Sequence, residues 1–180
     1  MNRLLLSLFL CNCASIRSNN LYLDFYNQTE GRYIEIRQCS LPIAISFSGL
    51  STSEENKVKR GLRFWEKYAG RRLFVESPNA AVVFENYPHE YYEFAGATTS
   101  SIWDSNGCFI FSVVRFMYRL DSFSEWEQDF IIRHEIGHLL GFSDSDDRFH
   151  IMYHHVKINV DCPSDSELDA LRRYYVNESR

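Results

Sequence analysis

The chain has 180 residues, 45% of them hydrophobic and 16% aromatic, which suits one globular domain with a substantial core. Its formal net charge is −5, and no basic stripe interrupts it, so nucleic acid is excluded as a partner class. The one long apolar run, Leu4–Leu10, is too short to span a bilayer.

Arg3 precedes that run, and small or polar residues follow it. A charged start, a short apolar centre and a polar exit predict a secretory signal over residues 1–13. Its end stays open. Ala14 can close an ordinary signal, whereas Leu10-Cys11-Asn12-Cys13 is similar to a loose bacterial lipobox that would lipidate Cys13. The protein is therefore expected to be secreted or held at the cell envelope, with a membrane touched only through that anchor. Residues 14–38 form an N-terminal segment, polar and loose over 15–31, and residues 39–180 the main domain.

Arg32–Arg37 alternates, with Ile34 and Ile36 on one face, as a half-buried strand does. Pro42–Phe47 repeats the pattern with Ile43, Ile45 and Phe47. Ser51-Thr52-Ser53-Glu54 is a capping box, and Val58, Leu62, Trp65 and Ala69 follow at helical spacing until Gly70 stops the helix. Leu73–Glu76, Ala81–Phe84 and Cys108–Val114 are further strands. A second helix is expected from near Ser124, where Ser122-Phe123-Ser124-Glu125 is a capping pattern, to near Gly141. A last helix opens at Ser164, with Glu167 three residues on, and buries Leu168, Leu171 and Tyr175. Beyond the signal, Cys39, Cys108 and Cys162 leave one thiol over. Cys39 precedes the first core strand and Cys162 the last helix, so a Cys39–Cys162 disulfide is expected, with Cys108 buried in a strand.

The second helix carries the chemistry. It ends His134-Glu135-Ile136-Gly137-His138, continues Leu139-Leu140-Gly141-Phe142-Ser143-Asp144, and Met152-Tyr153 comes eight residues later. Residues four apart share one helix face, so His134 and His138 can grip one metal ion with Glu135 beside it. Gly141 permits the positive φ that turns the chain back, which lets Asp144 reach the same ion. Imidazole and carboxylate are both ordinary zinc ligands.

These residues resemble the metzincin pattern H-E-x-x-H-x-x-G-x-x-H with its methionine turn. The Met-Tyr spacing is most similar to the matrixins, and Asp in place of the third His is similar to the snapalysin-type enzymes. The resemblance implies an α+β zincin domain: a twisted mixed β-sheet, three main helices and a Met-turn under the metal. It implies a zinc endopeptidase with His134, His138 and Asp144 as ligands of one Zn²⁺ and Glu135 activating the zinc-bound water. The matrixin structural zinc and calcium segment is not recognisable. Residues 86–112 offer only His89 and the acids Glu90, Glu93 and Asp104, with Glu85 just before them, so a single ion is expected.

Competing assignments follow from the same stretch. His150 could replace Asp144, although its offset breaks the spacing. His154 stands where some metzincins place a tyrosine near the metal, and where the matrixin pattern expects Pro. Asp146 and Asp147 are expected to be solvated loop acids, though either could substitute as ligand if the loop is shifted. Arg37-Gln38-Cys39-Ser40-Leu41-Pro42 is faintly similar to the matrixin pro-segment, whose cysteine caps the zinc, but only 25 residues, 14–38, stand where a pro-domain would be. The expected partner is a protein or peptide substrate bound by a monomer. The alternative is a catalytically inactive zinc-binding or adhesion module of the same fold.

Overall fold

The computed structural model describes residues 24–27, 32–87, 97–117, 120–155 and 160–176. The expected signal at 1–13, most of the stretch 15–31, and His89, Glu90 and Glu93 lie outside the described residues. Part of the stretch expected to be loose is ordered into pairing: β1 (Asp24–Asn27) runs antiparallel to β2 (Arg32–Glu35). Ile34 and Ile36 are buried as their alternation predicts.

Five further strands form one mixed sheet: β3 (Ile43–Ser48), β4 (Phe74–Glu76), β5 (Val82–Tyr87), β6 (Ala97–Trp103) and β7 (Phe109–Met117), in the order β4-β3-β5-β7-β6. The first four positions pair in parallel, and β6 closes the edge antiparallel to β7. β6 has no counterpart among the expected strands. Ala97-Thr98-Thr99-Ser100-Ser101 is β-branched and hydroxyl-rich, so it carries strand propensity but no apolar alternation.

Helix α1 (Thr52–Ala69) opens with the expected box. Glu54 N–H donates to Ser51 Oγ at 3.3 Å and Ser51 N–H to Glu54 Oε2 at 2.6 Å. Gly70 ends it at φ 67°. Helix α2 (Glu125–Leu139) is capped by Ser124, whose N–H donates to Glu127 Oε2 at 2.7 Å, so the box is shifted two residues from the expected Ser122 pattern. Helix α3 (Asp165–Tyr175) follows the Ser164–Glu167 box, and it buries Leu171 and Tyr175 while Leu168 is only half-buried.

The apolar faces of α1 and α2 cover one face of the sheet. Val58, Leu62 and Trp65 of α1 and Ile132 and Ile136 of α2 share one core with Ile45, Phe84 and Val114. The helices cross at Gly61, where a Cβ would collide with Ile132 Cγ2 and Ile136 Cδ1 at 2.7 and 2.8 Å. α2 is thereby fixed beside β6, leaving a cleft between them.

The disulfide differs from expectation: Cys39 bonds Cys108, with Cα atoms 5.3 Å apart. The cause is backbone pairing. Arg37 N–H donates to Gly107 O at 2.8 Å and Phe109 N–H to Arg37 O at 3.0 Å, which lays Cys39 beside Cys108 at the start of β7. Cys162 is disulfide-bonded too, and not to Cys39. The segment leading to Cys39 is built into the domain. Gln38 Nε2 donates to Leu139 O at 3.1 Å and Tyr175 Oη to Leu140 O at 2.9 Å, which satisfies carbonyls at the end of α2.

Candidate metal centre

The last turn of α2 sets the site. Phe142 N–H donates to Gly137 O at 3.1 Å and Gly141 N–H to His138 O at 3.0 Å, the paired bonds of a Schellman end. Gly141 takes φ 88°, and Ile36 O occupies the place of a side chain there, so no other residue fits. The chain reverses and brings Asp144 under the two histidines.

His134 Nε2 lies 3.1 Å from His138 Nε2 and 3.1 Å from Asp144 Oδ1, and His138 Nε2 lies 3.6 Å from the same oxygen. Tetrahedral ligands at zinc distances are spaced by about 3.3–3.5 Å, so this triangle fits a single ion. The tautomers fit as well. His134 Nδ1 is 3.1 Å from Ile151 O, and His138 Nδ1 is 2.8 Å from Phe142 O. Each carbonyl demands the proton on Nδ1, which leaves the Nε2 lone pairs facing each other and the carboxylate. Among the described residues this is the one group of three that can hold a metal ion.

Charge follows the same geometry. Burial pushes the His134 imidazole down, but the hydrogen bond to Asp144 and the nearby Glu135 and Asp144 charges outweigh it, and its pKa is raised. Burial, then the neighbouring His134, lowers that of His138. The His134 hydrogen bond holds the Asp144 carboxyl below its ordinary range, against a smaller opposing effect of burial.

The Met-turn supports two ligand positions from behind. Ile151 O orients His134, and Met152 O accepts from Ser145 N–H at 2.7 Å, which pins the residue after Asp144. Met152 N–H in turn donates at 2.9 Å to Glu167 Oε1 of α3, whose other oxygen caps that helix through Ser164 N–H at 2.7 Å. The Met152 side chain is fully buried beneath α2.

Glu135 is nearly buried and faces β6, where Thr99 Oγ1 donates to its Oε2 at 2.6 Å. A cavity of about 440 Å³ lies between, lined by Ala97, Thr99, Ser101 and Trp103 of β6 and by His134, Glu135, His138 and Asp144. Thr99 is a site residue that the motif does not contain. Its only sequence signal is the hydroxyl-rich run of an unexpected strand.

The competing residues are placed elsewhere. His150 is wholly buried, with Nδ1 2.8 Å from Ser145 Oγ and Nε2 3.3 Å from Ser166 Oγ, so both its nitrogens serve the fold. His154 is exposed and binds Ser145 O through Nδ1 at 3.1 Å. Asp146 is solvated as expected, but Asp147 is not: its side chain is 9% exposed, and its Oδ1 accepts from Phe149 N–H at 3.0 Å to hold the loop. The Cys39 sulfur is committed to Cys108 and so is not a free thiolate for the ion.

No family model matches the chain, and no curated protein matches it in sequence. Solved structures do. One structure of myroilysin superposes at TM-score 0.54 with 16% identity, covering 76% of this chain and 80% of the other. A second myroilysin structure gives 0.51 and 16%, covering 74% and 82%. The fold is metzincin-like. At that identity the likeness concerns architecture alone: a mixed sheet whose edge strand β6 and the helix α2 flank the cleft. The metzincin-like scaffold puts the His134–His138–Asp144 group at the floor of that cleft.

Proposed function

We propose that this protein is a zinc-dependent endopeptidase with a matrixin-like ligand spacing and Asp144 as the third ligand, in the snapalysin manner. The observation that carries this reading is the convergence of His134 Nε2, His138 Nε2 and Asp144 Oδ1 beside the Glu135 carboxylate, on the floor of a cleft. A site built for structural zinc would spend four protein ligands and would not need Glu135.

Zinc held there by His134, His138 and Asp144 would supply Lewis acidity toward the attacking water and the substrate carbonyl. The chain supplies the rest. His134 and His138 would hold the ion through nitrogens whose opposite ring positions are anchored on backbone carbonyls. Glu135 accepts the proton of the attacking water and passes it to the leaving amine. Among the described residues β6 is the last strand of the sheet, and along its outer edge an extended peptide can add as a further strand.

The same reading takes the protein as an exported monomer acting on protein or peptide substrates. It is supported by the apolar Leu4–Leu10 run behind Arg3 and by the acidic balance of the chain. Among the described residues no helix is long and apolar enough to cross a membrane.

Cleavage of a mixed peptide library tests it. Wild type cleaves and Glu135→Ala does not, a loss of about 10²–10⁴-fold. Equal cleavage by both would remove Glu135 from the mechanism, and no cleavage by a zinc-loaded wild type would favour an inactive binding module.

A further inference from the structure

We propose that Thr99 is the positioning residue for Glu135: its hydroxyl ties the carboxylate to the sheet edge and sets the direction from which the base works. The inference rests on the peptidase reading for its catalytic consequence, but the tie itself is geometric.

Thr99 stands on β6 opposite Val114, whose side chain is fully buried under the helices, so Thr99 points to the α2 side of the sheet. Its Oγ1 is 2.6 Å from Glu135 Oε2 and 3.3 Å from Glu135 O. A hydroxyl carries one proton, and the shorter partner, a charged acceptor, takes it. Among the described residues no other donor reaches the Glu135 carboxylate, and the residue is only 7% exposed.

The two ends of the tie differ in stiffness. Glutamate has three rotatable side-chain bonds and would otherwise sample several rotamers within the cleft. Threonine is β-branched, stiff at χ1, and held in a paired strand. The stiff partner therefore positions the soft one. β6 is also the edge on which an extended substrate would lie, so base and substrate would be registered to one element. Placement at this level is worth much: a 1 Å error in a reacting group costs about 10²-fold in rate.

Thr99→Val removes the hydroxyl and keeps the branched shape, whereas Thr99→Ser keeps the hydroxyl. With zinc-loaded proteins of equal metal content, Thr99→Val lowers kcat about 10–100-fold with KM within about twofold, and Thr99→Ser stays within about threefold of wild type. A second readout needs no activity. In thermal melts of the metal-free proteins, Thr99→Val lowers the midpoint more in the wild-type background than in Glu135→Ala, where the carboxylate acceptor is gone and only the backbone oxygen at position 135, 3.3 Å away, is left to the hydroxyl. Equal shifts in both backgrounds overturn the tie. So does a Thr99→Ser variant as slow as Thr99→Val, or a fully active Thr99→Val beside an inactive Glu135→Ala. Full activity of Glu135→Ala would instead mean that the peptidase reading had failed, and the catalytic part of the proposal with it. If Thr99→Val does not fold, the melts of Thr99→Ser and Thr99→Ala decide the same point.

Discussion

The sulfur of Met152 rests against the backbone of Gly137, between the two histidines on the underside of α2. A Cβ at Gly137 would overlap Met152 Sδ and come within 3.3 Å of Trp65 Cζ2. Gly137→Ala thus sets about 1 kcal/mol of helix propensity against an overpacking cost of about 1–3 kcal/mol. Met152 and Trp65 are both wholly buried, so Met152 can give way only by pushing against packed neighbours. The variant is expected to melt below wild type and to bind metal more weakly, because the Met-turn that orients His134 is displaced. A raised melting midpoint would show that Met152 repacks freely.

Asp144 is expected to matter by its position more than by being a carboxylate. Asp144→His puts an imidazole at the same spacing and should keep stoichiometric zinc. Asp144→Ala should lose more affinity than the roughly 10–100-fold that follows removal of an outer hydrogen-bond partner. Competition with a fluorescent chelator measures both. Unchanged affinity in Asp144→Ala would take Asp144 out of the ligand set.

Protons should compete with the metal through one group in particular. Zinc needs neutral imidazoles. The His134 pKa is raised in the metal-free site, chiefly by Asp144 and Glu135 acting against burial, so a proton must leave it. Burial has already lowered His138, and the His134 hydrogen bond keeps Asp144 ionised. Apparent zinc affinity should therefore fall about tenfold per pH unit once pH drops below the raised His134 value. The decline should begin on the alkaline side of an ordinary histidine, near 6.5. Isothermal titration across buffers of different ionisation heat should count close to one proton released. Two protons would mean that His138 is charged as well.

Much of this architecture can be read in the chain where one local rule suffices. The Ser51–Glu54 and Ser164–Glu167 boxes open their helices as spaced, and Gly70 and Gly141 stop the chain with positive φ. The site is legible for the same reason: His134, Glu135 and His138 sit on one helix, and Asp144 is one short reversal away. What escapes depends on distant partners. β6 is a polar strand, made so by standing at the sheet edge beside a cleft, and apolar alternation cannot reveal it. Thr99 matters only because β6 lies along α2. The Cys39–Cys108 bond follows from a backbone bridge at Arg37, which cysteine spacing does not encode. Asp147 and His150 look like loop residues, but their hydrogen bonds inside the Met-turn region bury them.

The disulfide closes a separation of 69 residues, and removing it should destabilise the domain by about 4 kcal/mol on a chain-entropy basis. Cys39→Ser should therefore lower the denaturation midpoint without raising peptidase activity. An activated Cys39→Ser protein would revive a metal-capping role for that sulfur.

On the reading proposed above, His134, His138 and Asp144 hold one catalytic zinc. The most direct measurement is zinc bound per chain, by equilibrium dialysis followed by elemental analysis, for wild type, His138→Ala and Glu135→Ala. One zinc per chain in wild type and in Glu135→Ala, with loss in His138→Ala, is the predicted result. Wild-type protein that binds no zinc, or His138→Ala that binds it as tightly as wild type, would contradict the account.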